Sequence, residues 1–415
     1  PDSLARRARV VQLIGTIQDQ RGNLDAALAN FETAAASTAE LLARDPENPQ
    51  RIFDHSQSVF YVGYIAYRRG NFAKAEPAFR TYLDLATRLV ARDPANAAWQ
   101  AELGYAQSNL ATLRYAQGRN TEAAALFNQA LTVSRQVARS KVDDVTTQLN
   151  LATTLAWLAA THERLGELDK ARSVRAEEDE ILLLATGRDP DNRTAQRMQV
   201  ESLRSQARIA LVQARPAESL RAVRAAARLA SDLLVADPTN ADWLAEAVNT
   251  HLQLADTLLQ SGNPGAAIRQ LDVANHLANT LGARDRSVAK WQMLRIQERV
   301  LRARIHNQTR NPAQALAVAR AALAGIGGLS TIGRDDSDMR WLRAGAHLEA
   351  GEALLKQGSA PAARVELAMI ANSNAVRGIE EPRLMVLRAR ALAALGDHGA
   401  EAKLAARLRA IGWLE

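Results

Sequence analysis

A chain of 415 residues is longer than one hydrophobic core usually grows, so several domains or a repeat array are expected before any motif is read. Apolar residues make up 47% but aromatics only 4%, with Ala and Leu dominant, a composition that favours helices and counts against a β-rich fold. The 52 Lys+Arg against 45 Asp+Glu, a net +7, are too diffuse to argue for nucleic acid, and the lack of cysteine excludes disulfides, thiolate metal sites and cysteine nucleophiles.

No apolar run approaches the roughly 20 residues needed to cross a bilayer, and Pro1-Asp2-Ser3 carries no signal-peptide pattern, so a cytoplasmic protein without a membrane span is expected. A start at proline suits a fragment or a processed product.

Turn signals recur along the chain at Gly22-Asn23, Gly70-Asn71, Gly118-Arg119, Gly166-Glu167, Ala214-Arg215-Pro216, Gly262-Asn263-Pro264, Arg310-Asn311-Pro312 and Gly358-Ser359, each 48 residues after the last. A second signal runs in antiphase on the same grid: Asp45-Pro46, Asp93-Pro94, Asp189-Pro190, Asp237-Pro238 and Asp285. Lys141 and Gly333 interrupt it, each with an Asp two residues later, at 143 and 335. Trp99, Trp243 and Trp291 follow six residues after the Asp, with Trp341 two places off.

Between these signals lie stretches with apolar residues at helical spacing, such as Leu103, Ala106, Leu110 and Leu113, then Ala123, Leu126, Phe127, Ala130 and Leu131. Each unit therefore reads as two antiparallel helices. The tip Gly takes the left-handed C-cap conformation, and the Asp of Asp-Pro caps the next helix or shapes the turn. Residues 1–374 divide into eight such hairpins, with turns near 22, 70, 118, 166, 214, 262, 310 and 358, and 375–415 into a shorter capping hairpin around Gly396 with a polar last helix.

The stretch Leu110-Ala111-Thr112-Leu113-Arg114-Tyr115-Ala116-Gln117-Gly118, followed by Ala123, Phe127, Ala130 and Leu131, resembles the tetratricopeptide repeat signature. Gly15 and Gly63 stand at the family's small position in the first helix, and Ala27-Phe31-Ala34 and Ala75-Phe79 repeat its second-helix pattern. The departure is length, 48 residues against the family's usual figure of about 34. The junctions Asp45-Pro46-Glu47-Asn48 and Asp93-Pro94-Ala95-Asn96 look like those of long repeat regions in bacterial signalling and effector proteins. The resemblance implies an all-α, right-handed superhelical solenoid of about nine antiparallel hairpins.

Chemistry is sparse. Gly325-Ile326-Gly327-Gly328 lacks the Lys of a phosphate loop and follows a helix; the seven His are scattered; and Asp335-Asp336-Ser337-Asp338 falls where the other units turn, without the Gly and Glu of a calcium loop. Glu177-Glu178-Asp179-Glu180 reads as a solvated helix face or a dock for a basic partner, and Arg221, Arg224 and Arg228 as a solvated face. No catalytic residue, cofactor or metal is expected.

In the family that the chain resembles, the first helix of each hairpin lines a groove for peptides or partner helices. Its pattern places Gln57, Phe60, Tyr64 and Tyr67 there in the second unit, and Tyr105, Ser108, Thr112 and Tyr115 in the third. The fifth unit contributes Glu201, Arg204 and Arg208, and the seventh Gln297, Arg304 and Asn307. Arg204 and Arg208 would grip an acidic segment. The expected function is a non-enzymatic scaffold that binds a protein or peptide, or a copy of itself, on that groove. The alternatives are the regulatory arm of a larger bacterial protein with a fused effector domain, and single-stranded nucleic-acid binding along an Arg-bearing groove.

Overall fold

A computed structural model describes residues 2–21, 23–285, 288–329, 336–371 and 380–414. Gly22, Gly333 and Asp335, all part of the turn grid, lie outside the described residues, as do 375–379 at the start of the expected cap.

The described chain is helical hairpin after helical hairpin. The first helices are α1 (Asp2–Gln20), α3 (Pro49–Arg68), α5 (Ala97–Ala116), α7 (Val145–Leu165), α9 (Arg193–Val212), α11 (Ala241–Gln260), α13 (Ala289–Gln308), α15 (Ser337–Lys356) and α17 (Pro382–Leu395). Their partners are α2 (Leu24–Arg44), α4 (Phe72–Arg92), α6 (Asn120–Ser140), α8 (Leu168–Arg188), α10 (Pro216–Ala236), α12 (Pro264–Arg284), α14 (Pro312–Gly328), α16 (Ala360–Ala371) and α18 (His398–Ala410). A regular helix of the array has 20 or 21 residues, as α3 and α4 do, and is therefore about 30 Å long at 1.5 Å per residue.

The tips at 70, 118, 166, 214, 262, 310 and 358 are left-handed stops. Gly70, Gly118, Gly166, Gly262 and Gly358 all have positive φ, from 72° to 78°. At the same place on the grid Ala214 and Arg310 adopt φ of 56° and 58°, a region where a Cβ is strained. The Asn after the tip then caps the second helix: Asn71 Oδ1 accepts from Lys74 N at 3.1 Å.

At the opposite end Asp and Asn divide the labour. The Asp carboxylate closes the turn by accepting the backbone N–H two residues on, 3.1 Å for Asp93 and Ala95, and 2.8 Å for Asp237 and Thr239. Asn96 and Asn240, three residues after the Asp, supply the cap, accepting from the N–H groups of Ala98 and Trp99 and of Asp242 and Trp243. The Asp shapes the junction and the Asn starts the helix.

The chain divides inside α7, between Thr154 and Leu155, into two compact units. In the first, Phe31, Phe79 and Phe127 are the buried plugs of successive hairpins, exposed by no more than 2%. Any Cβ on Gly15 or Gly63 would lie under 3.0 Å from the ring opposite, which is why the small position of the odd helix is small. In the second unit the grid position of those rings is filled by Arg175, Val223, Leu271, Ala319 and Leu367, every one of them buried.

The second unit also folds back on itself. Trp413 packs on Leu168, Ala171, Ile209 and Val212, and the Leu414 N–H donates to the Val212 carbonyl at 2.6 Å. The tail after α18 is thus clamped onto the tips of the α7–α8 and α9–α10 hairpins.

Candidate partner-binding face

The odd helices carry the residues that the repeat pattern assigns to a groove. In the first unit that face is aromatic. Phe60 lies 5.0 Å from Tyr61, 5.9 Å from Tyr64 and 5.5 Å from Tyr82, centroid to centroid, while Tyr67 stacks on Phe72 at 5.8 Å. The Arg68 guanidinium sits 5.5 Å over the Tyr64 ring and bonds Asp19 of the preceding odd helix. Beneath this cluster Glu102 accepts from Gln57 Nε2 at 2.8 Å and from the Tyr82 hydroxyl at 2.6 Å. Burial, and then Glu102, push the Tyr82 hydroxyl far above its usual range, so it stays protonated and donates.

Tyr105 differs from these neighbours. It is 44% exposed, and among the described residues it is the one aromatic side chain more than a third open to solvent. Its hydroxyl is held by Asn150 Nδ2 at 3.0 Å, so the ring is steadied at one end and open along its length. Thr112 donates back to the Ser108 carbonyl at 2.9 Å within α5, and Tyr115 stands one turn further on, half-buried.

In the second unit the same face is closed by ion pairs between successive odd helices. Arg208 Nε meets Glu163 Oε2 at 3.1 Å, Arg204 bonds Glu246, and Arg304 Nη1 meets Asp256 Oδ1 at 3.2 Å. Asn307, 2% exposed, donates to both the Glu349 carbonyl and its Oε2 at 2.9 Å. The ladder continues from Arg390 to Glu352 at 2.7 Å and from Arg383 to Asp338 at 2.7 Å, while Arg164 of α7, four hairpins earlier in the chain, meets the same Asp338 at 2.6 Å. Burial opposes ionisation of Asp338, yet the two guanidinium groups hold its carboxyl below the ordinary range. The sequence assigns Arg204 and Arg208 to an incoming acidic segment; the structure gives them carboxylates of the chain itself. Gln297 lies on α13, and Glu201, on α9, is held ionised by Arg175, Arg204, Arg197 and Arg208 against the cost of burial.

The acidic run Glu177–Glu180 departs most from its sequence reading. Of its four side chains only Glu180 is exposed. Glu178 has no exposed surface and takes Arg175 Nη1 on its Oε2 at 2.6 Å; Arg175, 2% exposed, also donates to Ser205 Oγ at 3.0 Å and to the Ala156 carbonyl at 3.2 Å. Asp179 accepts from Ser202 at 2.6 Å and from Gln206 at 2.8 Å. Burial pushes the Glu178 carboxyl up to about 7 against the pull of Arg175. A signal was available in the grid: Arg175 and Glu178 stand 48 residues after Phe127 and Ala130, at positions that must be buried.

Among the described residues no three metal-ligating side chains converge, and no helix is long and apolar enough to cross a membrane.

No protein-family model matches the chain, and no curated protein sequence does. Solved structures do. A Rap protein in complex with Competence and Sporulation Factor aligns over 98% of this chain and 98% of its own, at 11% identity and a TM-score of 0.57. The fold is that of a tetratricopeptide-type repeat array. Weaker likenesses are a tetratricopeptide repeat protein from Parabacteroides merdae (12% identity, 82% of this chain and 99% of that one, TM-score 0.41) and a signal-transduction ATPase with a tetratricopeptide repeat sensor from Pyrococcus horikoshii (14%, 93% and 54%, 0.49). Within the tetratricopeptide-type hairpin, Gly63 under Phe79 is the small-to-aromatic contact that the sequence resemblance rests on.

Proposed function

We propose that this chain is a protein-interaction scaffold, and that it takes a peptide or partner domain on the odd-helix face of its first unit, around Tyr105. The observation that carries this reading is the contrast in that face between the two units. Ion pairs tie up the polar side chains of the second unit, whereas the first offers an exposed, anchored Tyr105 beside an aromatic cluster. Rigid aromatics with a polar tip bury much area on binding while losing little conformational entropy. A chain of the same fold has been captured with a bound factor, in keeping with a binding role. The role needs no catalytic group and no cofactor, only a partner whose apolar side chains match Tyr105, Tyr64 and Phe60.

The test is a photo-crosslinking amino acid placed at 105 and, as a control, at the exposed position of Arg228, in cells that make the protein. A protein cross-linked from 105 in 0.5 M salt as in low salt (about 0.5 M shortens the screening length to a few ångströms), and not from 228, is the expected result. Equal labelling from both positions, or capture of nucleic acid that salt abolishes, would overturn it.

A further inference from the structure

The first helix of the array shows an apolar stripe to solvent. On α1, Val10 is 57% exposed, Leu13 61%, Ile14 41% and Ile17 38%. These are not surface positions of the repeat. The residues at 48-residue steps from Ile17, which are Ile65, Leu113, Thr161, Ile209, Thr257, Ile305 and Ala353, are all exposed by 2% or less. The corresponding series from Val10, running from Ser58 and Ala106 to Ala346, does not exceed 6%. In an internal hairpin this stripe packs beneath the even helix of the hairpin before it.

The first such interface shows what the covering helix must carry. Tyr61, equivalent to Leu13, stacks on Phe31 of α2 at 4.7 Å, and His55, equivalent to Arg7, meets the Thr38 hydroxyl of α2 at 3.0 Å. The two contact residues on the covering helix are seven apart, two turns along one face. A second copy of this chain does not meet the requirement. Two α1 helices apposed in parallel would bring Arg6 and Arg7 against their own copies, an antiparallel pair fails because no large aliphatic of α1 is followed seven residues later by a carboxylate or hydroxyl, and the outer face of α18, which would present itself head to tail, carries exposed Lys403, Arg407 and Arg409.

We propose that the α1 stripe is an open repeat interface, and that its occupant is a further helical hairpin in the array's own register, placed ahead of α1 as α1–α2 is placed ahead of α3. Its second helix sets an aromatic or large aliphatic side chain over Leu13 and, seven residues later, a carboxylate or hydroxyl facing Arg7. The inference is independent of the face around Tyr105, which lies on α5.

The chain supplies its own probe. A copy of residues 49–96 carrying Ala86→Ser, fused directly ahead of Pro1, keeps the 48-residue grid, brings a second Phe79 over Leu13 and sets a hydroxyl opposite Arg7. Amide exchange in α1 should slow by on the order of tenfold or more on fusion, because a covered helix opens only with its neighbours. The midpoint of unfolding of the first unit should rise. Val10→Asp/Ile17→Asp should leave the unfused chain folded, since both sites are exposed, and should abolish the slowing in the fusion. Unchanged α1 exchange in the fusion would overturn the proposal. So would an unfused chain that sediments as a dimer and becomes monomeric on Val10→Asp/Ile17→Asp, which would assign the stripe to a second copy.

Discussion

The α3–α4 hairpin in the first unit and the α8 helix in the second solve one packing problem in two ways. Both must plug the groove between two helices at the same grid position. Phe79 does it with a ring over Gly63; Arg175 does it with a guanidinium whose donors are taken by Glu178, Ser205 and the Ala156 carbonyl. The first plug gains from removing apolar surface from water. The second must satisfy every buried donor and acceptor to break even, and Glu178 Oε1 has no hydrogen-bond partner among the described residues. The repeat backbone therefore does not demand an aromatic; it demands a filled volume with no uncompensated charge.

Breaking each plug should expose this difference. Removing one partner of the ion pair, Glu178→Ala, should destabilise the α8 region by about 3–5 kcal/mol, because Arg175 is left buried and unpaired. Phe79→Ala should cost a similar ~3–5 kcal/mol as lost burial plus a cavity. The double change separates them: Arg175→Leu with Glu178→Ala should be neutral or stabilising by about 1–4 kcal/mol, whereas no second change nearby restores Phe79→Ala. Urea unfolding followed by site-resolved hydrogen exchange distinguishes these cases, and a double variant as weak as Glu178→Ala alone would show that the pair holds more than its own volume.

Titration sharpens the comparison, because the two units carry carboxylates shifted in opposite directions. Glu76 in α4, bonded first of all by Arg114, is lowered from 4.5 to about 2. A carboxylate depressed on folding stabilises the native state above its unfolded value, and that contribution is lost as pH falls from about 4.5 toward 2. Glu178 runs the other way: folded, it keeps its proton up to about 7, so the native state binds more protons than the unfolded one between 4.5 and 7, and stability falls as pH rises through that window. Glu178→Gln should flatten the upper slope and Glu76→Gln the lower, measured by urea midpoints from pH 3 to 8.

The smallest effect concerns the tips. Ala214→Gly and Arg310→Gly should each stabilise by about 0.5–1 kcal/mol, since Gly relieves the left-handed strain at a small cost in unfolded-state entropy. The change belongs to the second unit, where both residues lie; at Gly70 and Gly118 of the first, the reverse substitution to Ala should lose a comparable amount, read as a shift of a few degrees in Tm.

The hairpin register was legible in the residues because its signals are local. A left-handed stop and an Asp-Pro junction each require particular backbone chemistry within a few residues, so the recurrence of Gly70 and Asp93 at 48-residue steps marked helical hairpins. The plugs Phe31, Phe79 and Phe127 were legible in the repeat signature that the chain resembles. The candidate face was only half legible. The pattern of the family that the chain resembles placed Tyr105, Arg204 and Arg304 on odd helices, but which of them meets solvent depends on what the next hairpin sets opposite, 42 to 48 residues away.

By itself, then, the sequence determined that the chain is built of helical hairpins, since these follow from dihedral preference and backbone capping. Only the tertiary structure decided that Arg204 and Arg304 are spent on Glu246 and Asp256, and that the tail beyond α18 is clamped to Val212. Those outcomes turn on the angle and separation at which two packed helices meet, a property of side-chain volumes summed over both helices and one that no single stretch of residues records.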